Sequence, residues 1–396
     1  MPTYDAVIIG GGPAGSTCAA HLNAAGLNVL LIDQRQFPRD KTCAGWITPQ
    51  IVETLKLDIE EYSQHAVCQP ITSFRTGMIG GQPVETKYYQ VVSYGIRRCE
   101  FDHYLLKRSG VPVQLGQPVK SLAWNAPEWD INGEIRTPML VGAGGHFCPV
   151  ARKIGSKSEE TATVVAAQEI EFEMSDDNAR RCDVLPHQPE FYFCTDLAGY
   201  GWCFRKGNFL NIGLGRTNSD HVSHHVDEFK EFLRTTRRYE GTYPGKFHGH
   251  AYRLYEHHVP KLFDDGVLLI GDAAGLAYPQ SGEGIRPAVE SAVLAAETII
   301  ASQGDYRKER LAPYRDRLVD RLGTPRWTDS NRWLPQSWLR GIAGKLLSTQ
   351  WFTRQVVLDR WFLHRRTNPL PGGNQSEPLP PLLSPAESGS SPLPIG

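Results

Sequence analysis

The sequence predicts an interleaved α/β fold: a Rossmann-type parallel sheet, an inserted antiparallel sheet and a helical C-terminal region. Three stretches carry this expectation. Asp5 to Asp33 reads strand, glycine turn, helix, strand. Residues 161–216 alternate as strands between glycine turns. Residues 267–299 bring a buried strand to a glycine-punctuated loop and then a long helix.

In the first stretch, the apolar run Ala6 to Ile9 is followed by Gly10-x-Gly12-x-x-Gly15. The helical segment behind it carries the small residues Ala14, Ala19 and Ala20, and Val29 to Ile32 leads into Asp33. Gly10 permits a tight turn, Gly12 a close backbone approach to a pyrophosphate, and Gly15 close helix–sheet packing. The helix N-terminus suits a diphosphate and Asp33 an adenosine ribose. A glycine turn alone needs no ligand; strand, helix, second strand and acid in register point to a dinucleotide.

The chain has 396 residues, a formal net charge of −1 and 21% charged residues, a balance unlike that of a general nucleic-acid binder. No basic segment leads an apolar one at the start, and no apolar run reaches the length of a membrane span, so a cytoplasmic location is expected. The eight cysteines lack CxxC spacing, which argues against a zinc or iron–sulfur centre and against a disulfide framework. His221, His224, His225, His248, His250, His257 and His258 lie in polar surroundings with no acid–His constellation, so no metal site is expected.

Residues 34–50 are rich in turn formers around Cys43-Ala44-Gly45, which suits either a segment folded over a flat ligand or a packed internal loop. Strands are expected within 60–95, a helix from about Arg98 with Phe101, Leu105 and Leu106 on one face, and strand or hairpin material over 111–140. At 142–145, further glycines allow another close backbone approach. Tyr200, Trp202 and Phe204 alternate, placing three rings on one side of a strand, as core or as the wall of an apolar pocket. Asp272 closes a strand, where an acid can bond polyol hydroxyls, and N–H groups near Ile285 can stabilise negative charge. Residues 305–366 hold 14 Lys and Arg against 6 Asp and Glu, with five of the nine tryptophans. That composition fits amphipathic helices at a membrane surface, a site for an acidic partner, or a helical cap with solvated charges. Eight prolines fall within residues 367–396, which predicts a disordered tail.

Four motifs resemble the geranylgeranyl reductase group of flavoproteins, which shares the para-hydroxybenzoate hydroxylase-like fold with aromatic hydroxylases and halogenases. They are GGGPAGS with Asp33, FPRDKTCAGWITP, GYGWCFRKGNFLNIGLG and GDAAGLAYPQSGEGI. Ala44 stands where that group usually has glycine, and Arg205 where it has proline. The resemblance covers roughly Tyr4 to Ile300 and implies FAD. The implied cofactor set is Gly10, Gly12, Pro13, Ala14, Gly15, Asp33, Gln34, Arg35, Cys43, Ala44, Arg98, Gly271, Asp272, Pro279, Gly282, Gly284 and Ile285.

It further implies Cys43, Tyr200 and Glu283 as catalytic candidates, and Trp46, Tyr200, Trp202, Phe204 and Arg205 around an apolar or lipid-like substrate. Cys43 is read either as a proton donor or as a small space-filling side chain. Arg205 is read either as meeting an anionic head group or as pointing to solvent. The implied reaction is reduction, or dehydrogenation, of a carbon–carbon double bond in a prenyl- or polyene-like chain. Hydroxylation or epoxidation through a flavin C4a-hydroperoxide is the alternative on the same scaffold. Halogenation, and a non-enzymatic FAD protein that binds a membrane or partner, are weaker ones. With no second dinucleotide fingerprint, electrons are expected from NAD(P)H bound transiently, or from ferredoxin or flavodoxin. The expected organisation is 1–160 and 261–303 for the FAD-binding unit, with inserted strands at 60–95, 161–260 for the substrate sheet, 304–366 for the basic helical region and 367–396 for the tail.

Overall fold

The computed structural model describes residues 2–156, 163–217, 221–255, 261–324 and 344–370. Its nucleotide-binding half is a six-stranded sheet in the order Phe263–Asp264, Val267–Leu269, Met139–Gly142, Ala6–Ile9, Val29–Asp33, Val113–Leu115. All pairings are parallel except the outermost one, between Phe263–Asp264 and Val267–Leu269. The central strands read as continuous apolar runs because both faces are covered, and every residue of Ala6–Ile9 is buried. Helix Pro13–Ala24 lies against helix Ile285–Ala301, and small side chains on both (Ala14, Ala19, Ala292, Ala295) share one core.

The second half is a seven-stranded sheet in the order His248–Arg253, Val164–Glu173, Phe209–Arg216, Gly199–Lys206, Glu190–Phe193, Ser73–Met78, Val84–Lys87. It is antiparallel apart from the pair Glu190–Phe193 with Ser73–Met78. Strands from before residue 90 therefore complete a sheet made mostly of residues 164–253. A small sheet of Trp46–Ile47, Ser93–Ile96 and Cys68–Ile71 lies beside it.

Alternation along Gly199–Lys206 divides the sheet's two faces. Cys203 faces a core closed by helix Val222–Thr235, whose Val222, Val226, Phe229 and Leu233 recur at helical spacing. Trp202 and Phe204 face the opposite, aromatic cluster with Trp46, Phe74 and Phe191, and Tyr200 packs against it.

The C-terminal region closes that aromatic face. Segment Thr353–Phe362, wound as a π-helix, buries Val357, Leu358 and Phe362 in the cluster. Tyr88 Oη donates to Asp359 Oδ1 at 2.8 Å and anchors it. Trp361 packs at the cluster's edge, whereas Trp351 is 68% exposed. Trp327, Trp333 and Trp338 lie outside the described residues. Residues 367–370, which composition assigns to a disordered tail, are tied to the body. Arg286 Nη2 donates to the Thr367 carbonyl at 3.2 Å, Arg321 Nη2 to that of Asn368 at 2.6 Å, and Thr54 Oγ1 to that of Leu370 at 3.4 Å. The buried Arg286 and the half-buried Arg321 outweigh the local proline content; the rest of that stretch, from 371, lies outside the described residues. Among the described residues no helix is long and apolar enough to cross a membrane.

Candidate active site

The first strand delivers Gly10 at φ +117°, and a Cβ there would lie 2.4 Å from the Ala143 carbonyl oxygen. Gly15 sits so close behind that its Cβ would meet the Gly10 carbonyl. Pro13 occupies the first turn of the helix, and no side chain caps its N-terminus, so its outward N–H groups face the cavity. Asp33 accepts from the Gly11 N–H at 2.7 Å and the Arg35 N–H at 2.8 Å, so it shapes the glycine turn and retains lone pairs toward the cavity.

Three cationic side chains flank this turn. Arg98 donates twice to Asp102, at 2.8 and 2.9 Å, and Arg39 approaches the same carboxylate at 3.4 Å. Burial opposes the charge on Arg98, yet Asp102 and the Cys43 sulfur more than offset it and raise its pKa. Lys41 Nζ lies 2.6 Å from His250 Nε2. Burial lowers the pKa of both. Asp272 lies 3.9 Å from the same imidazole nitrogen. Burial works against its ionisation, but His250, Lys41 and Arg98 lower its pKa.

The loop from Asp272 to Gly284 is held against the antiparallel sheet. Tyr200 donates through its hydroxyl to the Ser281 carbonyl. Gly282, at φ +66°, leaves no room for a side chain: a Cβ would stand 2.3 Å from the Tyr252 hydroxyl. Opposite this loop, Cys43 accepts from the Gly45 N–H at 3.4 Å, and its carbonyl accepts from Asn211 Nδ2 at 3.1 Å. Asn211 Oδ1 in turn accepts from the Trp202 indole at 2.7 Å.

All of this surrounds one cavity of about 970 Å³. Of the sequence-predicted residues, it is lined by Gly10, Gly12, Pro13, Ala14, Asp33, Gln34, Arg35, Cys43, Ala44, Trp46, Arg98, Tyr200, Trp202, Phe204, Asp272, Gly282, Glu283, Gly284 and Ile285. Gly15, Gly271 and Pro279 do not line it; Gly15 serves the helix–turn contact behind it.

Arg205 is a correction. It alternates away from Tyr200, Trp202 and Phe204, lies outside the cavity lining, and donates from Nε to the Gly207 carbonyl at 3.2 Å. The Tyr200 hydroxyl, a catalytic candidate, donates its hydrogen bond to the Ser281 carbonyl.

Sequence reasoning missed Arg39, Lys41, Glu169, Phe191, Tyr252 and Phe362, all of which line the cavity. Arg39 and Lys41 lay within the FPRDKTC motif, where two cations beside a dinucleotide turn were a usable signal. His250, set aside with the other histidines, lines the cavity next to Lys41. Among the described residues no three His, Cys, Asp or Glu side chains gather as a metal site.

A family model for FAD-dependent oxidoreductases matches residues 5–96. The chain is 30% identical over 324 residues to a geranylgeranyl diphosphate reductase of Rhodobacter capsulatus, covering 75% of each chain. It belongs to the geranylgeranyl reductase family. It is also 27% identical over 338 residues to a digeranylgeranylglycerophospholipid reductase of Methanocaldococcus jannaschii, covering 80% of this chain and 83% of that one. A geranylgeranyl bacteriochlorophyll reductase-like structure from Thermoplasma acidophilum shares the fold, with TM-score 0.70, 22% identity and 88% of each chain covered. The protein is thus an FAD-dependent oxidoreductase. The residues fit that cofactor: an uncapped helix start behind Gly10 and Gly12, buried cations, and Asp33 with spare acceptor capacity are what a flavin dinucleotide requires.

Proposed function

We propose that this family member reduces isolated carbon–carbon double bonds in a prenyl- or polyene-like chain. The observation that carries the reading is the continuity of the cavity: the glycine-turn cradle and an aromatic chamber of Trp46, Phe191, Tyr200, Trp202, Phe204 and Phe362 form one space. An apolar chain fits a wall of rings packed edge-on or tilted with centroids 4.5–6.2 Å apart, and their burial excludes water from the reacting carbons. The names of the relatives in Rhodobacter and Methanocaldococcus support a prenyl substrate.

Reduced FAD, when bound, supplies a hydride at N5. Gly10, Gly12, Pro13, Ala14, Asp33, Gln34, Arg35, Arg98 and Asp272 hold the dinucleotide. The protein must also deliver a proton to the second carbon, and Cys43 and Glu283 are the cavity-lining groups suited to hold it. Tyr200 anchors the Ser281–Glu283 loop through its hydroxyl.

The test is anaerobic. Photoreduced holoenzyme is mixed with geranylgeranyl diphosphate, and both the flavin spectrum and the product mass are followed. Reoxidation with a product two hydrogens heavier is expected. Unchanged reduced flavin and unchanged prenyl mass, with reoxidation by oxygen alone, overturn the reading.

A further inference from the structure

The most unusual group in the cavity is Glu283. Its side chain is 4% exposed, and no side chain hydrogen-bonds either carboxyl oxygen among the described residues; the group that approaches it is the Arg286 backbone N–H. Buried carboxyls are ordinarily paired, because leaving them unpaired is costly. His364, which follows the π-helix, places Nε2 3.8 Å from Glu283 Oε2, and that nitrogen has no hydrogen-bond partner among the described residues. His364 is held at φ +46° and its ring lies 4.0 Å from that of Tyr278. Its side chain is 13% exposed, so the imidazole bridges the sealed carboxyl and solvent.

We propose that Glu283 and His364 form a proton relay, in which Glu283 protonates the substrate carbon and His364, as a positioning residue, reprotonates Glu283 from solvent. The relay rests on the double-bond reductase reading and supplies its missing proton. Reduced FAD, when bound, would supply the hydride to one alkene carbon. The alkene π pair forms the bond between the other carbon and the Glu283 proton as its O–H bond breaks. The resulting carboxylate takes the Nε2 proton of His364 while Nδ1 takes one from solvent. The 3.8 Å gap closes through a small side-chain rotation or one bridging water.

The surroundings favour this cycle. Burial chiefly, with Glu290 adding and Arg286 opposing, raises the Glu283 pKa to about 8, so it holds its proton at neutral pH. Burial and Arg286 lower the His364 pKa to about 4, so its imidazole is neutral at rest. Once Glu283 is ionised, its negative charge raises the affinity of His364 for a proton, which drives the return step. The groups facing the pair are Tyr278 on the loop, Tyr200 on the sheet, Arg286 and Glu290 on the long helix, and Arg321 beyond it. Glu290 engages Arg286 Nε at 2.8 Å and Arg321 Nη2 at 2.6 Å; Arg286 Nη1 is left without a partner, and no Arg or Lys among the described residues pairs directly with Glu283.

The experiment compares holoenzyme with Glu283→Gln and His364→Gln. Infrared difference spectra of wild type minus Glu283→Gln should isolate a protonated carboxyl band at pH 7, apart from that of Glu169, which is lost as the pH rises. In His364→Gln the band should remain, but its exchange in heavy water should slow at least tenfold and recover with added imidazole. With prereduced enzyme and geranylgeranyl diphosphate, Glu283→Gln should slow product formation about 100-fold or more at unchanged flavin content. His364→Gln should slow it about tenfold, with rescue by imidazole. An ionised Glu283 at pH 7, or unchanged exchange in His364→Gln, overturns the relay. If the wild type fails to reduce the prenyl probe, the reductase reading falls, and the infrared exchange still judges the pair.

Discussion

The Asn211 amide joins Cys43 to Trp202: it donates to the Cys43 carbonyl at 3.1 Å while accepting from the Trp202 indole at 2.7 Å. One buried side chain thus sets the cysteine loop relative to the aromatic wall. Asn211→Leu strands both partners, at roughly 1–3 kcal/mol for each buried group left unpaired. The expected outcome is a lower urea midpoint together with slower substrate-dependent reoxidation. A variant of unchanged stability and rate would show that the link is dispensable.

Gly282→Ala should weaken flavin retention on gel filtration. The added methyl meets two obstacles: a left-handed backbone, worth about 1–2 kcal/mol, and the Tyr252 hydroxyl. Combining it with Tyr252→Phe should recover only the steric part. Full recovery in the double variant would mean that backbone strain at 282 contributes nothing.

Cys43→Ala separates chemistry from packing. With Glu283 as the proton source, anaerobic reoxidation by a prenyl substrate slows less than about tenfold per bound flavin; a loss of about 100-fold at normal flavin content would move the proton to the thiol. Flavin loss with an unaltered rate per bound flavin would assign the side chain to packing.

Glu169 gives a pH prediction. Burial, with Glu171 adding, raises its pKa to about 8 against an ordinary 4.5, while the Cys43 backbone, Lys206 and Asn211 oppose the shift. The folded protein therefore binds this proton more tightly than the unfolded chain. Its stabilising contribution is complete below pH 4.5 and declines as pH rises toward 8. Glu283 contributes in the same direction. These two carboxyls lower Tm as pH rises across that window, and Glu169→Gln should make the Tm–pH slope less negative than in the wild type; an identical slope in the variant would place the titration elsewhere.

Much of this was legible in the chain because it is local. The turn at Gly10, its helix and Asp33 are specified by neighbouring residues, and alternation along 199–206 assigned Tyr200, Trp202 and Phe204 to one face. Alternation also told against Arg205 as a neighbour of those rings, a consequence of its odd position that the motif comparison obscured. The pairing of Ser73–Met78 with Glu190–Phe193 was not legible, since nothing local chooses a partner more than a hundred residues away. Phe362 and His364 were hidden for a related reason: their surroundings in sequence are basic and tryptophan-rich, and only packing shows that their segment turns inward. Arg286 and Arg321 likewise gave no sign that they would fasten residues 367 and 368.

The aromatic chamber has an order of assembly written into it. Its floor is made by residue 46 and its walls by residues 191–204, but its roof, Phe362, leaves the ribosome more than 150 residues after those walls. In order of synthesis, the residues of the dinucleotide cradle are complete by residue 285, while the trough beside it still lacks its roof. A chain cut before residue 353 would keep its glycine turn and lose its ceiling, leaving a yellow protein with nowhere dry to hold a prenyl chain.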